Sequence, residues 1–266
     1  TFVGPEDHWL PPDNYQEHPV ARVAHRTSPT NMGLALLANL AAYDFGYIPA
    51  GPLIERIANA LHSMEALERH QGHFYNWYDT QSLKPLPPPY ISTVDSGNLA
   101  AHLLILQPGL LALPGHKIVG ARLFEGLSDT LRVLQAVTGA GAPAQLAQLQ
   151  KDLSSASDSR PATLAAMRLC LARLATCAAD AAGSLDAEPE SQARWWAQAL
   201  VRQCQAALDE LTFLAPWTLL RASPDRLKGF RGLDEIPTLR ELARFEVELL
   251  PTIEDRLGSD ATPGER

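Results

Sequence analysis

The chain has 266 residues, of which 46% are hydrophobic and 20% are charged, a balance typical of a soluble globular protein. Its formal net charge is -8, and none of its 22 Lys and Arg residues directly follows another in sequence. Because nucleic acids and anionic membrane surfaces are bound through concentrated basic patches, this distribution disfavours both as partners.

Cysteine usage and hydropathy give two further expectations. Cys170, Cys177 and Cys204 fall in helical patterns without a CxxC pair or another metal-ligand spacing, which indicates small buried residues in a reducing compartment. The longest unbroken apolar run, 34–38, is far shorter than the roughly 20 residues that cross a bilayer. We therefore expect no membrane span in this segment. Residues 1–10 also lack the features of a signal peptide.

The chain opens with a proline-rich stretch, 1–27, whose prolines favour an extended path and whose large aromatic residues favour an ordered arm over a linker. Ser28 followed by Pro29 predicts a helix start, because a serine hydroxyl caps free N–H groups and proline is tolerated at the first helical position. We expect this helix to run to about Tyr43, with Gly33 allowing a neighbour to approach closely.

Two more helices follow. The second is predicted from Pro52 to Gly72, which would serve as its C-terminal glycine. The third would be capped by Asp95 or Ser96. Its apolar residues leave so few polar positions that we expect this helix to be buried on most sides; they include Leu99, Leu103, Leu104 and Leu106.

Leucines recur every three or four residues through the rest of the chain. They predict a fourth helix around 123–134 and then long antiparallel helices joined by polar turns at 154–160 and 183–189. Residues 223–237 are irregular, and one more helix is expected over 239–249. No segment alternates as a strand does, so the predicted class is all-α.

The reactive side chains are unevenly distributed. All eight His and all six Tyr residues lie at or before position 116, and the second half is rich in Ala, Leu, Gln and Arg. We divide the chain into an extended arm (1–27), a first helical part that carries the specialised side chains (28–139) and an Ala/Leu-rich helical extension (140–266).

The stretch between the second and third helices, residues 72–98, is here named the aromatic loop. It carries Phe74, Tyr75, Trp77, Tyr78 and Tyr90 among polar groups. These rings could form an aromatic plug that closes a helical barrel. They could instead form a ligand platform, because so many large rings on an irregular loop cannot all be buried on one side.

Two polar clusters flank helix starts, at 25–31 and at 92–98. The first could be a helix cap with a surface arginine. His25, Arg26 and Asn31 could instead bind an anionic or hydroxyl-rich ligand at the helix N-terminus. In the second, Asp95 could simply cap the third helix. Asp79 and Asp95 could also accept hydrogen bonds from adjacent sugar hydroxyls.

Metal binding is disfavoured, although His62, His70 and His73 lie near one another in sequence. Gly72 interrupts the helical pattern between them, and the spacing fits no zinc motif. No nucleophile elbow or phosphate-binding loop occurs, so we expect no metal and no cofactor.

Three stretches resemble the start of the glucoamylase-like cyclisation region of bacterial cyclic β-1,2-glucan synthases. They are LPPDNYQE, AHRTSPTNMGL and ALERHQGHFYNWYDTQSLKPLPPPYISTVDSGNLAAHL. The match is dense from about Trp9 to Leu106. Beyond residue 140 only the helical character and its placement agree.

The resemblance implies part of an (α/α)6-toroid-like domain, followed by a helical bundle extension. It also implies a separate upstream glycosyltransferase domain, a larger membrane-associated protein on the cytoplasmic side of the bacterial inner membrane, and a β-glucan oligosaccharide as the partner. The matching positions would line the glycan cleft: Arg26, Thr27, Ser28, Asn31, His73, Asn76, Trp77, Tyr78, Asp79, Asp95, Ser96 and Asn98.

Catalysis by the family is a retaining transglycosylation, and the resemblance places its catalytic glutamates in a later stretch. Such chemistry needs two carboxyl groups about 5 to 5.5 Å apart. Glu55, Glu65 and Glu68 lack an aromatic surrounding, and Asp79 and Asp95 suit binding roles. We therefore expect a glycan-binding portion whose chemistry is completed outside this chain. The alternative is a non-catalytic helical scaffold or partner-docking module.

Overall fold

The computed structural model describes residues 2–139, 142–185, 188, 191–219, 234–245 and 247. Helices dominate, which confirms the predicted all-α class. They are α1 (Pro29–Asp44), α2 (Ala50–Ala66), α3 (Thr93–Ala112), α4 (Arg122–Thr138), α5 (Ala144–Ser159), α6 (Leu164–Gly183), α7 (Gln192–Leu214) and α8 (Leu239–Leu242). Short 3-10 turns occur at Pro5–Asp7, Leu113–Gly115 and Pro216–Leu219.

Very short strands pair antiparallel in the first half of the chain. β1 (Tyr15–Gln16) pairs with β2 (Arg22–Val23), β3 (Arg26–Thr27) with β6 (Tyr78–Asp79), and β4 (Arg69–His70) with β5 (His73–Phe74). The chain forms two compact units. One contains Thr1–Asp44 and Ala50–Ala112, and the other contains Phe45–Pro49 and Leu113–Arg266. In the structure α4 therefore belongs with the later helices, whereas the sequence pattern groups it with the earlier ones.

In the first unit, α1 packs against both α2 and α3. A Cβ atom on Gly33 of α1 would overlap the imidazole of His102 on α3, so this glycine allows the close approach that the sequence predicts. Gly109 of α3 makes a similar close approach to Leu40 of α1. The larger buried apolar side chains of the three helices are Met32, Leu36, Leu40, Leu53, Ile57, Met64, Leu99 and Leu106.

The predicted extension of the second helix to Gly72 is wrong. α2 ends at Ala66, and the chain then forms the β4–β5 hairpin around Gln71 and Gly72. Both turn residues have positive φ, 50° and 85°, as a type I′ hairpin turn requires. Gly72 is therefore a hairpin residue, and not the glycine that ends a helix.

The third helix also differs from its prediction. Ser92, not Asp95 or Ser96, caps α3, because its Oγ accepts from the Asp95 N–H at 3.1 Å and its carbonyl accepts from the Ser96 N–H at 3.0 Å. The helix is not buried on most sides, since Leu104 is 71% exposed and Leu111 is 70% exposed. Within this unit α3 packs along α1, which covers one side of it.

The same helix differs from the expectation of no membrane span. Thr93–Gly115 has a mean hydropathy of 1.3 and is long and apolar enough to cross a membrane by length and composition alone. Its apolar residues are interspersed with Asn98, His102 and Gln107, which is why no long run was visible.

The second unit is a bundle of α4, α5, α6 and α7. Each helix packs against the next in sequence, and α4 packs against α7. Leucines at the predicted positions form its core, among them Leu127, Leu131, Leu149, Leu171, Leu200 and Leu211. The predicted turn at 154–160 is wrong, because α5 continues to Ser159. The predicted irregular stretch at 223–237 and helix at 239–249 lie partly outside the described residues. Within the described part, α8 ends at Leu242 and the chain turns at residues 243 and 244.

Candidate functional site

The β3–β6 ladder joins two of the clusters that the sequence singled out. It places Arg26 opposite Asp79 and Thr27 opposite Tyr78. Directly opposed residues point to the same face of a strand pair, and successive residues point to opposite faces. Thr27 and Tyr78 are 0% exposed, whereas Arg26 is exposed and Asp79 half-buried. The ladder thus has one face in the core and one toward solvent.

Arg26 is held on two sides. Its guanidinium lies over the Trp77 ring, 4.8 Å from the centroid. Its Nε and Nη2 donate to Asp13 Oδ2 at 3.1 and 2.8 Å. Asp13 also accepts at Oδ1 from Asn31 Nδ2 at 3.3 Å. One carboxylate of the arm therefore positions two of the predicted ligand-binding residues.

Tyr78 anchors the aromatic loop from inside. Its hydroxyl donates to the Glu68 carbonyl and accepts from the Tyr75 N–H, both at 2.7 Å. Burial raises the pKa of Tyr78 to about 12. Because this side chain has no exposed surface, its role in the candidate site is to hold the loop in place.

Asn76 is a second buried anchor. Its N–H donates to the Tyr90 carbonyl at 2.8 Å. With the side-chain amide oriented to satisfy both of its ends, Nδ2 donates to Asp95 Oδ2 at 2.9 Å. The amide oxygen then accepts from Trp77 Nε1 and the Tyr90 hydroxyl, each at 2.7 Å. This amide fixes the edge of the Trp77 ring and ties the loop to α3.

Asp95 connects the first turns of two helices. Burial alone would raise the pKa of Asp95, but hydrogen bonds from the side chains of Ser92, Thr30 and Ser28 and from the Thr30 backbone outweigh it and lower that pKa. Ser28 and Thr30 stand at the start of α1, where the free N–H groups also favour a negative charge. Ser28 Oγ accepts from the Asn31 N–H at 3.3 Å, which confirms the predicted helix start.

Asp79 is occupied by the turn that follows it. Its Oδ1 accepts from the Ser82 N–H at 2.7 Å, the Ser82 hydroxyl at 2.8 Å and the Gln81 N–H at 3.1 Å. The backbone hydrogen bond from Ser82 is the main cause that lowers the pKa of Asp79 despite partial burial. This carboxyl is therefore a fixed anion at the solvent-facing side of the ladder.

The remaining predicted residues lie at the edges of this arrangement. Asn98 is exposed and donates from Nδ2 to Thr30 Oγ1 at 3.1 Å. Ser96 is half-buried in the first turn of α3, and Ser28 is buried. His73 is exposed on the β4–β5 hairpin, opposite His70. The partly or fully exposed members of the predicted set are Arg26, Asn31, His73, Trp77, Asp79, Asp95, Ser96 and Asn98.

Sequence reasoning missed two carboxylates of the arm, Asp7 and Asp13. Asp7 is buried and its Oδ1 accepts from the Thr80 hydroxyl at 2.5 Å and from His25 Nδ1 at 2.8 Å. Asp13 lies within LPPDNYQE, one of the stretches that carries the resemblance, so a signal was present. Nothing local shows that its partners are Arg26 and Asn31, which lie more than ten residues away.

Outside the ladder, the described residues bear on two other kinds of site, a metal centre and a groove. Among them, no group of three or more His, Cys, Asp and Glu side chains could hold a metal ion. The second unit contains a groove of about 280 Å³ between α5 and α6, whose polar lining includes Asp152, Ser155 and Arg173. Asp152 and Arg173 form an ion pair with each other there.

Comparison with known proteins relates part of the chain to one synthase. No protein-family model matches the chain. Over 107 residues, which are 40% of the chain, the sequence is 44% identical to the cyclic beta-(1,2)-glucan synthase NdvB of Rhizobium meliloti (strain 1021). The match covers about 4% of the length of that relative. A partial relationship to this synthase is therefore established, in agreement with the resemblance found in the sequence.

Proposed function

We propose that this chain is the glycan-binding portion of a β-1,2-glucan synthase that cyclises its product by transglycosylation. The observation that carries the proposal is the solvent-facing side of the β3–β6 ladder, where Arg26, Trp77 and Asp79 lie together. A large aromatic ring beside fixed hydrogen-bonding groups suits a saccharide, which has apolar faces and a rim of hydroxyls. The name of the relative supplies the β-1,2 linkage.

In this proposal the predicted site residues divide into two groups. The exposed and half-buried side chains would contact the glucan, with Trp77 stacking on a sugar face and Arg26 and Asn31 donating to hydroxyls. The buried ones, among them Tyr78 and Asn76, would hold the wall in shape. Such support matters because binding groups must be fixed by packing and hydrogen bonds before the ligand arrives.

Catalysis would be completed by residues outside this chain. A retaining mechanism needs a carboxyl that keeps its proton near neutral pH, and hence one with a raised pKa. The pKa values of Asp79 and Asp95 are both lowered, and both carboxylates already accept hydrogen bonds from the protein. This supports binding and positioning roles for them. The partners would be the remaining domains of a larger membrane-associated synthase, on the cytoplasmic side of the bacterial inner membrane.

Calorimetric titration with β-1,2-glucan oligosaccharides tests the proposal. The wild-type chain should bind them in preference to β-1,3-linked oligosaccharides of equal length. Trp77→Ala should weaken binding roughly tenfold, since a stacked aromatic ring contributes on the order of 1 kcal/mol. Trp195→Ala is the matched control, because Trp195 is a partly exposed indole on α7 of the second unit.

Two outcomes would contradict the proposal. The first is that no β-1,2-glucan oligosaccharide binds. The second is that Trp77→Ala and Trp195→Ala bind as the wild type does. Either result would favour the alternative of a helical scaffold or partner-docking module, with the aromatic loop serving as packing.

A further inference from the structure

We infer that Asp13 sets the charge specificity of the candidate glycan site, by neutralising Arg26 so that uncharged saccharides are preferred over anionic ones. The inference rests on the proposed function, since it concerns the ligand of the same wall. It adds a specificity-determining residue from the arm, which is not among the predicted site residues.

The geometry makes Asp13 and Arg26 a fixed pair. Two N–H groups of the guanidinium donate to one carboxylate oxygen, at 2.8 and 3.1 Å. Asn14 Nδ2 donates to the same oxygen at 3.1 Å, and Asn31 Nδ2 donates to the other at 3.3 Å. The Asp13 backbone N–H also donates to the Ala24 carbonyl at 3.2 Å. Both the backbone and the side chain of Asp13 are therefore fixed by hydrogen bonds.

The two members of the pair differ in exposure. The Arg26 side chain is 49% exposed, whereas that of Asp13 is 18% exposed. A guanidinium has five N–H donors, and the bonds to Asp13 use only part of them. A ligand stacked beside Trp77 could therefore accept hydrogen bonds from the remaining Arg26 N–H groups. The Asp13 carboxylate would be less accessible to that ligand, because it is the more buried member of the pair.

This arrangement separates hydrogen bonding from net charge. With Asp13 ionised, the pair sums to zero, so Arg26 can donate to hydroxyls without attracting an anion from a distance. Without that carboxylate, the guanidinium over the Trp77 ring would lose the counter-charge to which it is hydrogen-bonded. Asp79, opposite Arg26 in the ladder, remains a fixed anion whether or not Asp13 is present, and its Oδ1 accepts from the Gln81 and Ser82 N–H groups and the Ser82 hydroxyl.

The test compares two probes that differ only in charge. One is a neutral β-1,2-glucan oligosaccharide, and the other is the same oligosaccharide with its primary alcohols oxidised to carboxylates. Asp13→Asn should raise the affinity ratio of the anionic to the neutral probe roughly two- to fivefold at low salt, the range measured for exposed charge pairs. The gain should disappear at 1 M salt, where charges are screened within about 3 Å.

Glu17→Gln is the matched control, since it removes one negative charge from an exposed residue of the same arm. It should leave the affinity ratio within about 1.5-fold of the wild-type value. Circular dichroism of each variant reports whether it folds.

A second pair of variants tests the inference with Arg26 removed, so that Asp13→Asn no longer leaves a guanidinium without its counter-charge. Arg26→Gln leaves the Asp13 carboxylate uncompensated, whereas the double variant Arg26→Gln with Asp13→Asn is neutral. The ratio of anionic to neutral affinity should be roughly two- to fivefold lower in the single variant. The inference alone would be overturned if the wild type binds the neutral probe but Asp13→Asn does not change the ratio of anionic to neutral affinity. The ratio would have to be unchanged both relative to the wild type and, in the double variant, relative to Arg26→Gln. Absence of any wild-type binding would overturn the proposed function, and this inference with it.

Discussion

The buried amide of Asn76 donates to Asp95 Oδ2 at 2.9 Å, and this hydrogen bond joins the aromatic loop to the first turn of α3. Asn76→Asp should therefore destabilise the chain by about 3 kcal/mol, because it places a second carboxylate against one whose pKa is already lowered. Urea unfolding monitored by circular dichroism measures the loss. Asn98→Asp makes the same chemical change at an exposed position of α3, and we expect it to shift stability by less than about 0.5 kcal/mol. Equal losses in the two variants would contradict the role given to Asn76.

Removal of the Tyr78 hydroxyl should destabilise the folded state. Tyr78→Phe leaves the Glu68 carbonyl and the Tyr75 N–H without their partner, which should cost about 1 to 3 kcal/mol. Tyr15→Phe removes an exposed hydroxyl from β1 and should change stability little. Thermal and urea unfolding at pH 7 compare the two variants. A cost for Tyr78→Phe no larger than that for Tyr15→Phe would show that the hydroxyl does not anchor the loop.

The same hydroxyl makes stability depend on pH in the alkaline range. Burial raises the pKa of Tyr78 to about 12, so the folded chain keeps a proton that the unfolded chain releases near pH 10. This contribution is complete below the unfolded pKa and is lost as the pH rises through the folded one. The stability difference between wild type and Tyr78→Phe should therefore narrow between about pH 10 and pH 12. A constant difference over that range would contradict the prediction.

Asp95 makes stability depend on pH in the acid range. Burial opposes its ionisation, but the surrounding hydrogen bonds lower its pKa below the ordinary value of 3.8. A carboxyl of this kind contributes stability that is complete above the unfolded pKa and is lost as the pH falls through the folded one. Asp95→Asn should cost about 1 to 3 kcal/mol at pH 7, and the difference from wild type should shrink below about pH 4. Urea unfolding from pH 3 to pH 7 measures it. Asp158→Asn, at an exposed carboxyl of α5, reports the general effect of one lost charge.

Two helical glycines should respond in opposite directions to alanine. In Gly33→Ala the new methyl group would overlap His102, so the packing of α1 against α3 should weaken by about 1 to 3 kcal/mol. Around Gly97 of α3 a methyl group meets no atom within 4 Å, and Gly97→Ala should stabilise by up to about 1 kcal/mol. The melting temperature should fall in Gly33→Ala and rise in Gly97→Ala. A tolerated Gly33→Ala would show that the helices can separate without cost.

Local chemistry explains why the sequence predicts some elements well. The helix start at Ser28 and Pro29 depends only on residues within one turn of each other, and α1 begins at Pro29 as predicted. Gly72 shows the limit of such reasoning, because a glycine with positive φ serves equally to end a helix and to turn a hairpin. The Tyr78 hydroxyl bonds to Glu68 and Tyr75 on either side of the hairpin, and no periodic pattern in the sequence encodes that contact.

The candidate site is less readable from the sequence than the helices. The family resemblance placed Arg26, Trp77 and Asp79 in one group, and the β3–β6 ladder does bring them together. The sequence did not show which of the predicted side chains are buried supports, since that depends on the alternation of a ladder only two residues long. Apolar composition likewise overstated the burial of α3, because it does not reveal how many neighbours cover a helix.

The hydrogen bond from Thr80 to Asp7 spans 73 residues of sequence and has a consequence for the order of assembly. At synthesis rates of 5 to 20 residues per second, Asp7 would leave the ribosome roughly 4 to 15 s before its partner. The arm therefore cannot take its final position until the aromatic loop has been made. In a newly made chain α1 and α2 can form first, and the wall that holds Arg26 against Trp77 is completed afterwards.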